Sequence, residues 1–214
     1  MLIFLGCMLI AIIMHELGHM LVALKCGVGV KAFSVGFGKP LFHKTYKGID
    51  YRFSPLLIGG YCDIKGMESK KEKDDFLAQR YSKKLAILLA GVTINFIIAC
   101  ICYLIQFGDI GLGLKVDFLT AGAMLTKDYT KVAMIYAGVE PNLFLAQLSI
   151  INIFCAITNI LPLPALDGGH SVLVLMEKVW KENFIKYYTL ISNIGFAILM
   201  LLQVVFLYWV FFIN

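Results

Sequence analysis

Three ionisable side chains within five residues, His15, Glu16 and His19, interrupt an otherwise uncharged apolar stretch from Leu2 to Leu24. A helix needs about 20 mostly apolar residues to cross a bilayer, and this stretch has them. A charged group at mid-depth costs on the order of 2.5–3.5 kcal/mol on insertion scales. A span that carries such a cluster must turn it toward an internal polar site. The chain is therefore expected to build a polar centre among membrane-embedded helices.

Three further stretches are long and apolar enough to span: Leu85 to Phe107, Leu143 to Ala165 and Thr189 to Ile213. Charged residues make up 15% of the chain and hydrophobic ones 60%, against roughly 25% and 45–50% in soluble domains. That balance excludes a water-soluble globular domain, a disordered chain, a secreted disulfide scaffold and a nucleic-acid module. The six cysteines show no CxxC spacing and read as small apolar fillers or inert thiols. The first stretch lacks a basic leader and a small-residue cleavage site, so it reads as a span rather than a signal peptide.

The fold class expected is an all-α polytopic membrane protein with about four transmembrane helices, forming one membrane-embedded domain over residues 1–214. Its spans are 2–24, 85–107, 143–165 and 189–213, joined by a loop at 25–84 and another at 108–141. The 25–84 loop holds thirteen of the nineteen Lys and Arg residues. By the positive-inside rule that loop is cytosolic, 108–141 is outside, and both termini are outside. Short apolar-aromatic runs broken by Gly and Pro between Val30 and Ile64 suggest strands and turns, a small membrane-associated β element. Glu68 to Arg80 reads as a surface helix or linker, and Phe118 to Val139 as a weakly amphipathic segment along the interface.

His15-Glu16-Leu17-Gly18-His19 is an HExxH motif. Residues four apart share one helical face, so the two imidazoles can converge on one metal while Glu16 reaches a bound water. A hydrolytic zinc site takes three protein ligands and leaves one position open. Asp167 supplies the third, at the end of a span broken by Pro162 and Pro164 and followed by Gly168 and Gly169, which let the backbone turn. The alternative for that segment is a plain turn at a membrane exit. His170 is a second candidate ligand, with a hydrogen-bonding role preferred. Asn159 is placed to bind a substrate backbone or a developing oxyanion, or to bond a neighbouring helix. Asn95 invites the same two readings, and its spacing from Gly91 favours packing.

HExxH in the first span, paired with Asn159-x-x-Pro162-x-x-x-Leu166-Asp167-Gly168-Gly169-His170 in a later one, resembles the site-2 protease family of intramembrane zinc metalloproteases. Gly36 to Pro40, Ile58 to Tyr61 and Ala90 to Phe96 look like segments of its bacterial regulated-proteolysis group. The resemblance implies one zinc ion per chain on His15, His19 and Asp167, with Glu16 as general base. It implies that Asn159 assists substrate or transition-state binding, and that Gly59 and Gly60 belong to an element guiding an unwound substrate by strand addition. Substrates would be transmembrane segments or signal-peptide remnants, and the partners the bilayer and a gating protein not identified, with no nucleic acid. The residues between the second and third spans cannot hold the PDZ domain many relatives carry there, so the chain looks like a minimal form. The implied location is a bacterial inner membrane, with the site toward the cytosol. The rival readings are an inactive regulator of the same fold, a metal transporter, and a metalloprotease of another family with a Glu ligand.

Overall fold

The computed structural model describes residues 2–67, 72–126, 130, 142–180 and 183–212. Its first element is helix α1, Leu2–Lys25. Four strands follow: β1 Val30–Phe37, β2 Phe42–Tyr46, β3 Ile49–Phe53 and β4 Leu56–Ile64. After a short 3-10 turn at Phe76–Ala78 come α2 Tyr81–Leu88, α3 Ala90–Phe107 and α4 Ile110–Thr126. The remaining helices are α5 Leu143–Ile160, α6 Asp167–Leu175, α7 Glu177–Trp180 and α8 Phe184–Phe212.

Helices α1, α3 and α5 pack against one another in all three pairings. Each is long and apolar enough to cross a bilayer. Their outward faces carry exposed Ile97, Ile101, Ile105, Phe154 and Ile157, which water would penalise and lipid does not. Asn142 starts α5: its side-chain oxygen accepts the Phe144 and Leu145 amides at 3.1 Å each, a standard N-cap. The helix ends at Ile160, where Pro162 and Pro164 follow and cannot continue the ladder.

The four strands form one mixed sheet in the order β2-β3-β1-β4. Strand β1 runs parallel to β3 and antiparallel to β4, and β2 with β3 forms an antiparallel hairpin. This sheet is not an appendage. The largest buried cluster joins Met20 and Ala23 of α1, Phe33, Ile49 and Ile64 of the sheet, Phe76 and Leu77, Ile87 and Leu88 of α2, Leu173 and Val174 of α6, and Phe184 and Tyr188 of α8. A buried ion pair, Lys84 to Glu177 at 2.7 Å, fastens α2 to α7 beside it.

The expected all-α, four-span architecture is therefore corrected on two counts. The β element is a four-stranded mixed sheet that supplies one wall of the main core. Among the described residues three helices, not four, are long and apolar enough to span. The stretch expected as a fourth span, 189–213, lies mostly within α8. The first turns of α8 carry Lys186 and bury Phe184 and Tyr188 in the sheet-side core. The second expected span also begins later, because the helix breaks at Leu89 between α2 and α3. The 108–141 loop contains α4, held to α3 by the Tyr103 hydroxyl donating to Asp117 at 2.7 Å. The interfacial reading of 118–139 falls partly, at 127–129 and 131–139, outside the described residues, as do Glu68, Ser69, Lys70 and Lys71 of the 68–80 linker.

Candidate metal centre

His15 and His19 lie one turn apart on the buried face of α1, opposite the start of α3. The approach is close. A Cβ on Gly91 would stand 2.5 Å from His19 Nε2 and 2.7 Å from His15 Nε2, so only glycine leaves room for both rings at that crossing. The break between α2 and α3 has its own use. The Ile87 carbonyl lies 2.8 Å from His19 Nδ1. A carbonyl only accepts, so Nδ1 carries a proton, and in the neutral ring Nε2 is left with its lone pair.

Asp167 opens α6, after the loop that follows α5. The backbone reverses at Ala165, in the left-handed region at φ 75°, two residues before the acid. Gly168 and Gly169 are helical and do not make the turn, contrary to the sequence reading. Their missing side chains let α6 press on the Ile160–Pro164 backbone: a Cβ on either would collide with the carbonyls of Ile160 or Leu163.

These constraints bring three donor atoms from two segments to one point. His15 Nε2 lies 3.0 Å from Asp167 Oδ2, His19 Nε2 lies 3.2 Å from it, and the two Nε2 atoms are 3.2 Å apart. A tetrahedral ion about 2.0 Å from its donors would space them by about 3.3 Å. Asp167 Oδ2 is buried and has no hydrogen-bond partner. An ionised oxygen and a bare imidazole nitrogen in contact repel unless a proton or a metal ion lies between them. Two His and one carboxylate at this spacing fit zinc, which takes N and O donors and keeps a position open.

Glu16 lines a cleft of about 540 Å³ beside that triangle, whose walls also include His15, Phe37, Gly59, Gly60, Asn95 and Asn159. Strand β4 forms one wall and is the edge of the sheet on this side. Gly60 pairs with Val35 of β1, and a Cβ on it would lie 3.2 Å from Ile12 and 3.4 Å from Glu16. Gly59 likewise leaves space for the Phe37 ring. The Cys62 amide donates to the Glu16 carboxylate. In an antiparallel strand alternate residues turn their amides to the same edge, so Gly60, two residues away, shares that open edge. Asn159 lies in the last turn of α5, its amide nitrogen bonded to its own Cys155 carbonyl at 3.1 Å.

The structure thus gathers His15, His19 and Asp167 at one point, with Glu16, Gly59, Gly60 and Asn159 around the adjoining cleft. His170 is not among them: its Nδ1 pairs with the Tyr188 hydroxyl at 2.8 Å. Sequence reasoning undervalued Asn95, which is fully buried with its amide nitrogen 3.3 Å from His15 Nδ1. It also read Gly91 as a helix-packing residue, whereas its close neighbours are the two imidazoles.

A model of peptidase family M50 matches residues 3–202. A Campylobacter jejuni protein provisionally named a zinc metalloprotease is 42% identical over 107 residues, 47% of this chain and 29% of that protein. A Chlamydia pneumoniae protein with the same provisional name is 36% identical over 111 residues, 46% of this chain and 18% of the other. A third, from Borreliella burgdorferi, is 33% identical over 128 residues, 55% of this chain and 29% of the other. The chain matches under a third of the length of each.

Proposed function

This chain belongs to peptidase family M50, the site-2 protease family, and on that premise we propose that it is an intramembrane zinc metalloprotease. Its substrates are transmembrane segments of other membrane proteins or the signal-peptide remnants left in a bilayer. The observation that carries the reading is the convergence of three cation-seeking donors at 3.0–3.2 Å beside a cleft that also holds Glu16.

Zinc held by His15, His19 and Asp167 supplies Lewis acidity, polarising a carbonyl and acidifying water. Glu16 takes the proton from the attacking water and returns it to the leaving amide nitrogen. A substrate helix hides its peptide bonds in its own ladder and must unwind to be cut. The open edge of β4 offers the unwound backbone new partners, and Gly59 and Gly60 let that backbone approach without side chains in the way. Asn159, on the opposite wall, orients the substrate near the scissile bond. The basic 25–84 segment favours a cytosolic position for the sheet, which puts the centre near that face of a bacterial inner membrane, where water reaches it.

The test compares cells carrying wild-type chain with cells carrying Glu16→Gln, reading new termini in membrane-protein fragments. Cleavage should fall by about 10²–10⁴ in the variant while purified variant still binds zinc. Zinc-dependent cleavage undiminished in Glu16→Gln would overturn the role assigned to this carboxylate.

A further inference from the structure

We propose that Asn95 is a positioning residue for the metal centre: its side-chain carbonyl accepts the Nδ1–H of His15 and so commits that ring's Nε2 to the ion. The inference rests on the proposed metal site and adds a partner for one ligand.

A histidine that binds metal through Nε2 carries its proton on Nδ1, and that proton needs an acceptor to fix the ring and its tautomer. For His19 the acceptor is the Ile87 carbonyl at 2.8 Å. For His15 the polar side chain at Nδ1 is Asn95, one turn beyond Gly91 on α3, with the amide nitrogen at 3.3 Å. Amide nitrogen against Nδ1 suits the tautomer with its proton on Nε2. That is the tautomer that cannot bind an ion through Nε2.

The other half of the Asn95 amide shows what is missing. Its Oδ1 is buried with no partner, in a residue with no solvent exposure. A buried amide oxygen left unpaired is costly. A half-turn about the Cβ–Cγ axis of the amide exchanges its oxygen and nitrogen with little change of shape. It places Oδ1 against His15 Nδ1–H. One rotation satisfies the orphaned oxygen, gives His15 the metal-binding tautomer, and makes the two ligands equivalent. Each then has one oxygen of its own, a main-chain carbonyl for His19 and a side-chain carbonyl for His15.

The test measures zinc affinity by chelator competition, and the visible spectrum of the cobalt-substituted protein, for wild type, Asn95→Leu and Asn95→Asp. Leucine keeps the volume and removes the acceptor. Aspartate keeps the acceptor and removes the donor. Asn95→Leu should bind zinc about 10–100-fold more weakly, the usual effect of losing a ligand's partner, with an altered cobalt spectrum. Asn95→Asp should restore affinity and spectrum close to wild type. Wild-type affinity in Asn95→Leu, or an Asn95→Asp as weak as the leucine variant, would overturn the inference. Should Asn95→Leu fail to fold, the nitrogen-15 imidazole spectrum of zinc-loaded wild type decides. His15 protonated at Nδ1 and metallated at Nε2 supports the inference, and metal on Nδ1 contradicts it. A wild-type protein that binds no zinc would remove the metal reading and this inference together, whereas the variant results bear on Asn95 alone.

Discussion

Of the buried polar clusters among the described helices, one at Asp117 and one at Asp167 are finished differently. Between α3, α4 and α5, Asp117 accepts from the Tyr103 hydroxyl at 2.7 Å and from Ser149. Each polar group there has a partner of opposite character. At the start of α3, by contrast, a carboxylate oxygen and an imidazole lone pair are pressed together at 3.2 Å, with Asp167 Oδ2 lacking any donor. A closed cluster of hydrogen bonds is a structural fastening. A cluster of neutral imidazoles and a carboxylate held this tightly suits a cation, because burial makes unpaired polar atoms expensive.

That contrast can be sharpened by removing one member from each cluster. His19→Ala should weaken zinc binding by more than the roughly 100-fold that a ligand's partner contributes, and dialysis against a competing chelator measures it. Gly91→Ala adds a methyl 2.5–2.7 Å from both Nε2 atoms, so it should lower zinc affinity by about tenfold or more, as displaced ligand geometry does, while the helices still assemble. In the other cluster Tyr103→Phe strands the Asp117 oxygen and should cost about 1–3 kcal/mol of stability, read by thermal unfolding in detergent, with zinc affinity unchanged. A loss of zinc in Tyr103→Phe would erase the distinction between the clusters.

The smallest effect concerns pH. Burial is the main cause that raises the Asp117 carboxyl to about 6, against an ordinary 3.8. Folding thus favours its protonated form. The stability this contributes is complete below its ordinary value and is lost as pH rises through about 6. Asp117→Asn stays neutral throughout, so its unfolding temperature should lack that decline between pH 4 and 6. An identical decline in the variant would assign it to another group.

The convergence of His15, His19 and Asp167 was legible because the bilayer makes ionisable residues conspicuous: HExxH in an uncharged stretch has few structural explanations. Asp167 was legible as a residue and less so in its mechanism. The turn belongs to Ala165, and the glycines serve close backbone packing, which depends on what lies opposite rather than on local preference. The sheet was underestimated because strands of five to nine residues broken by turns look like a local hairpin. Only the tertiary contacts of Phe33, Ile49 and Ile64 with α1, α2 and α6 reveal it as part of the core. Asn95 was read for packing because its other role depends on what lies opposite. Gly91 and Asn95 one turn apart spell close helix contact, and they do make one, but Gly91 meets the His15 and His19 rings and Asn95 the His15 ring.

The most direct test of the central claim is the zinc content of purified, detergent-solubilised wild-type chain beside Asp167→Ala. Wild type should hold about one ion per chain, as a site with one set of three ligands requires, and the variant should lose it. Zinc retained at full occupancy in Asp167→Ala, or absent from wild type loaded with zinc, would contradict a centre built from α1 and the start of α6.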